Sequence, residues 1–185
     1  MKKITVRDVC DFFIALAQDA GEQLTHMKLQ KLLYYAQAWH CGMFGRPLFD
    51  AKFEAWKFGP VCPEIYCQYK TLGNANIPFI GEHDEKEGCL SGVAESFSPE
   101  TLNFLNDIAR DYMKYTAFQL SAMTHKEKPW KEHAAAAEEI PVKEMIYYYG
   151  SLVLTPEEEK RVIEAENDIM AGKGIIWKPR SLQNV

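Results

Sequence analysis

Five times in this chain a Ser or Thr stands directly before an apolar pattern of helical period: Thr5, Thr25, Ser98, Thr116 and Thr155. Such a side chain accepts N–H groups that a helix leaves unpaired at its start, so each marks a helix beginning. Thr5 with Asp8 and Thr116 with Gln119 have the spacing of a capping box. Ile4 before Val9, Leu24 before Leu29 and Tyr115 before Leu120 stand where a hydrophobic staple closes the first turn. The chain is thereby committed to a mainly α-helical fold.

The first helix carries Val6, Val9, Cys10, Phe13, Leu16 and Ala17 up to a turn at Ala20-Gly21. The second carries Leu29, Leu32, Leu33, Ala36, Trp39, His40 and Met43 on one stripe, and is expected to end at Gly42 and Gly45. Residues 46–61 change period. Phe53, Ala55 and Lys57 alternate with Glu54, Trp56 and Phe58, which predicts a short strand closed by Gly59-Pro60. Pro63 opens a helix through Ile65, Tyr66, Tyr69 and Leu72 that stops at Gly73. Ile77–Ile80 and Cys89–Val93 are two extended candidates flanking an acidic turn, a small hairpin or edge sheet. Further helices follow Ser98 and Thr116. The chain is expected to break around Pro129, with a short helix over "WKEHAAAAEE" and another from Pro141. A last helix over 155–171 leads to the tail "IIWKPRSLQNV".

No linker splits the chain, and 185 residues suffice to bury roughly two thirds of the unfolded surface around one core. The expected fold is a single mainly α domain with a small β-hairpin or sheet element near the middle. No apolar run reaches the length of a membrane span, and Arg7, Asp8 and Asp11 interrupt any leader-like core. Five cysteines, Cys10, Cys41, Cys62, Cys67 and Cys89, are an odd and scattered set that suits a reducing compartment. A cytoplasmic protein is expected.

The formal net charge is −5 and no long segment is strongly basic, which argues against binding driven by phosphate neutralisation. The hairpin of residues 5–44 still has one sharper alternative, a DNA-reading helix-turn-helix with His26, Lys28 and Lys31 near the start of its second helix. Two fixed charges on an apolar, core-like helix speak against it. Thiols and imidazoles permit pairings such as Cys41 with His125, but no nucleophile elbow or cysteine-protease signature accompanies them. No histidine spacing suits a metal and no glycine-rich loop suits a phosphate, so no cofactor is expected. A small Cys- or His-dependent hydrolase remains the remote alternative.

Aromatic side chains are the more informative signal. Trp56, Tyr66, Trp130 and the run Tyr147-Tyr148-Tyr149 exceed what one core stripe takes. Consecutive tyrosines on a helix face different directions, so at least one is expected at the surface. Tyr and Trp favour protein interfaces, which makes these six the candidate partner-binding residues. The alternative is that they fill the seam between the β element and the helices.

Three blocks in fixed order then carry a resemblance. They are Lys28, Leu29, Lys31, Leu32 and Tyr34; Ala55, Trp56, Gly59, Pro60, Val61 and Tyr66; and Leu120, Ser121, Thr124, His125 and Trp130. In this order they resemble the Panacea domain, the SocA-like antitoxin domain whose family includes GepA-type phage-associated proteins. The resemblance spans about residues 1–150, leaving 151–185 as a C-terminal helix and tail that cap the domain or extend from it. It implies a binding protein, not an enzyme: the antitoxin of a toxin–antitoxin pair, neutralising a cognate toxin encoded next door. One type in the family instead acts as an adaptor delivering its bound toxin to an ATP-dependent protease. The block residues also have physical readings. Gly59-Pro60 makes a turn, and Thr124, His125 and Trp130 organise a helix junction. Lys28 and Lys31, opposite Leu29 and Leu32, are placed to pair with acids of the second half.

Overall fold

The computed structural model describes residues 3–79 and 88–153. Helix α1, Val6–Asp19, starts with the expected capping box, Asp8 N donating to Thr5 Oγ1 at 3.2 Å and Thr5 N to Asp8 Oδ2 at 2.8 Å. It buries Val9, Phe12, Phe13 and Ile14. Helix α2, His26–Phe44, is the axis of the molecule. Every residue from Leu29 to Ala38 is buried, so the helix is enclosed on all sides and has no polar face.

Enclosure forces the polar side chains of α2 to find partners inside. Gln37 accepts from Leu48 N at 3.0 Å and Phe49 N at 3.3 Å, and donates to Phe49 O at 2.9 Å. Gln30 accepts from Cys62 N at 2.7 Å. These amides satisfy backbone groups of the irregular stretch that follows α2, which has few strand partners of its own.

That stretch holds two strands, not one. β1, Glu54–Trp56, pairs antiparallel with β2, Gly59–Val61, with Ala55 opposite Pro60. The turn is Lys57-Phe58, and Gly59-Pro60 lies inside β2 instead of closing a strand. Helix α3, Pro63–Tyr69, continues into a 3₁₀ turn, Lys70–Leu72, that stops at Gly73.

Cys89–Val93, expected to be extended, belongs to helix α4, Gly88–Ala94. Its cap comes from far along the chain: Asp19 at the end of α1 accepts from Cys89 N at 2.8 Å and Leu90 N at 2.9 Å. The other half of the expected hairpin is also paired elsewhere. Ile77 N donates to Leu24 O at 2.9 Å, and Leu24 N to Asn76 Oδ1 at 2.7 Å.

Helices α5, Pro99–Tyr112, and α6, Ala117–Thr124, begin at Ser98 and Thr116 as expected. Helix α7, Lys128–His133, begins before Pro129 and ends early. Proline in a first turn loses no hydrogen bond. The alanines leave the helix because the chain beyond them joins the sheet: Ala55 N donates to Glu138 O at 2.9 Å and Ile140 N to Phe53 O at 2.7 Å.

Helix α8, Val142–Val153, passes through residue 150 and crosses α2 closely. A Cβ at Gly42 would lie 2.6 Å from Tyr149 Cβ. Gly42 therefore permits the crossing from inside α2, and only Gly45, left-handed at φ 65°, ends that helix. The expected helix over 155–171 and the tail after it lie outside the described residues. No helix among the described residues is long and apolar enough to cross a membrane.

Candidate protein-interaction site

The three sequence blocks meet at the β-hairpin. From α2, Lys31 reaches the second strand, its Nζ donating to Pro60 O at 2.8 Å. From α6, Ser121 Oγ donates to Phe58 O at 3.0 Å, and Thr124 Oγ1 to Ser121 O at 2.8 Å. From α7, Trp130 Nε1 donates to Trp56 O at 3.0 Å. Gly59 sits at their centre with φ 95°. A Cβ there would lie 2.7 Å from Thr124 Oγ1 and 2.8 Å from Lys31 Cε, so both conformation and space require glycine.

Rings close the corner. Trp56 packs edge-on to Tyr66 at 4.7 Å, and His125 stacks on Trp130 at 3.8 Å and 15°. Trp56 Nε1 donates to Glu54 Oε2 at 2.6 Å. Trp56, Tyr66 and Trp130 are each half-buried: they fill the seam and still show an edge to solvent.

Lys31 is 1% exposed and has no ion-pair partner among the described residues. Burial pushes its ammonium down to about 7, because a buried charge loses its hydration. Lys28 donates to Met113 O at 2.5 Å and lies 3.9 Å from Glu22. Among the described residues neither lysine pairs with an acid of the second half, contrary to the expectation from the sequence. An α-helix has no solvated side once other elements surround it, and both lysines serve backbone carbonyls instead. Enclosure also removes the face that α2 would need to lie in a DNA groove. Leu29, Leu32 and Tyr34 are fully buried.

The tyrosine run divides as its helical positions require. Tyr149 is 1% exposed, Tyr148 half-buried and Tyr147 exposed. Tyr149 is thus a core residue. Its hydroxyl donates to Glu127 Oε2 at 2.7 Å, while Tyr35 donates to Oε1 at 2.9 Å. Burial raises the Glu127 carboxyl to about 7, against the pull of both hydroxyls. Tyr147 and Tyr148 line a cleft of about 230 Å³ with Lys128, Pro129, Glu132 and Glu144, below the roughly 300–1,000 Å³ of small-molecule sites.

Cys41 is buried, with its thiol pushed up to about 12 by burial, whereas His125 belongs to the hairpin corner. No group of three or more His, Cys, Asp or Glu among the described residues is placed to hold a metal ion.

Two aromatic residues that the sequence reading did not select are the more exposed ones. Phe58 in the hairpin turn is 57% exposed and Phe118 on α6 is 74% exposed. The signals were there. Phe58 alternates with the buried Phe53 and Ala55, and helical spacing places Phe118 about 160° around α6 from Leu120 and about 120° from Thr124.

Residues 29–131 match the family described as Antitoxin SocA-like, Panacea domain. The chain is also 33% identical over 135 residues to Antitoxin SocA of Caulobacter vibrioides (strain NA1000 / CB15N), covering 70% of each chain. The chain belongs to the SocA-like Panacea family. No solved structure matches it. The Panacea match begins in α2 and ends in α7, so it holds the whole hairpin corner. It is narrower than the span of about 1–150 expected from the blocks. Helices α1 and α8, outside the matched residues, both pack on α2.

Proposed function

We propose that this protein is an antitoxin that neutralises a cognate protein toxin by direct, stoichiometric contact. The observation that carries the proposal is membership of the SocA-like Panacea family, with 33% identity to Antitoxin SocA. The surface supports a binding role. Phe58 and Phe118 lie open, and Trp56, Tyr66 and Trp130 are half-buried at the hairpin corner. A standard interface of about 1,600 Å² in total is enough for tight inhibition when a few aromatic anchors dominate it.

Co-expression in a bacterial host tests this. The open reading frame beside this gene is induced alone and then with this chain, and its product is followed by immunoblot. Growth rescued at an unchanged toxin level is the expected result. Rescue with disappearance of the toxin replaces masking by delivery to an ATP-dependent protease. A toxic neighbour that still kills at comparable expression of this chain refutes the antitoxin role for that pair.

A further inference from the structure

The hairpin turn is fixed to α6, the buried Ser121 Oγ donating to Phe58 O at 3.0 Å. Phe118 is one turn from Ser121 on the same helix, and residues three apart are neighbours on a helix surface. Three exposed cations stand near these two phenylalanines along the chain. Lys57 is in the turn, Lys114 precedes α6 and Lys126 follows it, all exposed. From Met113 to Lys126 the chain contains no Asp or Glu. The acids nearest in sequence are already engaged: Glu54 accepts from Trp56 Nε1, Glu127 from Tyr35 and Tyr149, and the exposed Asp111 from Arg110 Nε at 3.0 Å.

None of the three lysines has an ion-pair partner among the described residues. By contrast Lys3, Arg7, Lys52, Arg110 and Lys128 each face a carboxylate within 4.0 Å. Lys57 Nζ lies 5.5 Å from the Phe58 ring centroid and Lys114 Nζ 5.4 Å from that of Tyr115. Two of the three ammonium groups are therefore kept near aromatic rings. A cationic apolar surface on a chain of net charge −5 is complementary to a partner that brings carboxylates around an apolar cleft, and it repels other basic surfaces.

We infer that the Phe58–Phe118 surface, ringed by Lys57, Lys114 and Lys126, is the toxin-docking face, and that it receives an acidic segment of the toxin with an apolar centre. This rests on the antitoxin reading above. Phe118 and Phe58 anchor the contact, and the lysines steer it.

The test uses the full chain and the purified product of the neighbouring open reading frame. Zero-length carbodiimide cross-linking of the wild-type complex is expected to join Lys57, Lys114 or Lys126 to Asp or Glu of the toxin. Phe118→Ala and Phe58→Ala are expected to raise Kd by about 30-fold or more each, with circular dichroism and Tm unchanged. The triple change Lys57→Glu, Lys114→Glu and Lys126→Glu is expected to slow association at least tenfold at low salt and to flatten its salt dependence. Lys143→Glu on α8 serves as a control and is expected to bind as wild type. If the wild type binds and neutralises, but all these variants bind within twofold of it and cross-links map elsewhere, the docking face is wrong and the antitoxin role stands. If the wild type neither binds nor neutralises, both readings fall together.

Discussion

Replacing Glu127 by Gln should change how stability depends on pH more than it changes stability itself. The Glu127 carboxyl is enclosed between α2 and α8, bonded by Tyr35 and Tyr149, and burial raises it from 4.5 to about 7. A carboxyl with a raised folded pKa binds its proton more tightly in the folded state. Its contribution is complete below the unfolded value and is lost as pH rises through about 7. The difference corresponds to roughly 3 kcal/mol. Lys31 works in the opposite sense. Its folded value is lowered from 10.5 to about 7, so its contribution is complete only above 10.5 and is lost as pH falls toward 7. The wild type alone therefore mixes two opposed slopes, with a stability minimum near neutrality. The difference between variant and wild type isolates Glu127. Urea unfolding at intervals from pH 5 to 8.5 should show Glu127→Gln gaining on the wild type by roughly 2–3 kcal/mol across the window. A difference that stays constant within about 0.5 kcal/mol would refute the reasoning that this carboxyl is desolvated.

Other perturbations test the supports of the fold. Gly59→Ala combines a left-handed φ with contacts under 3.0 Å to Thr124 and Lys31; we expect a loss of about 2–3 kcal/mol, read as a fall in Tm of roughly 5–10 °C. Gly42→Ala drives a methyl into the backbone of α8 at 2.6 Å, and overpacking of about 1–3 kcal/mol or more should appear in chemical denaturation. Asp19→Ala removes the long-range cap of α4 at a cost of about 1 kcal/mol. Amide exchange at Cys89 and Leu90 should speed up while α2 stays protected, and unchanged exchange at both would show that the cap contributes nothing.

How much of the candidate site could be read in advance follows from the range of the forces involved. The order of the blocks and the glycine at 59 were legible, because a family pattern is a property of the string. That Lys31, Gly59, Thr124 and Trp130 meet within one corner was not, since their contacts join α2, the hairpin, α6 and α7 across up to about a hundred residues. The division of the aromatics between core and surface was half legible. Helical spacing placed Tyr147 apart from Tyr149, but which of the two faces the core depends on where α8 crosses α2.

By itself the sequence determined where most helices begin. Thr5, Thr25, Ser98 and Thr116 each cap a helix within three residues, and interactions of that range need nothing from the rest of the chain. It also determined that a β element follows α2, but of the two glycines expected to end that helix, Gly42 and Gly45, only Gly45 does so. Only tertiary structure decided that α4 is helical, through Asp19 seventy residues away, and that the alanines after His133 leave α7 so that Glu138–Ile140 can pair beside β1. Above all it decided the environment of α2. Periodicity describes which side of a helix is apolar, not how many neighbours surround it, and once every side is covered Gln30, Lys31 and Gln37 become internal hydrogen-bonding groups. The charge and the rings that remain outside, at the hairpin turn and along α6, are what a partner can reach.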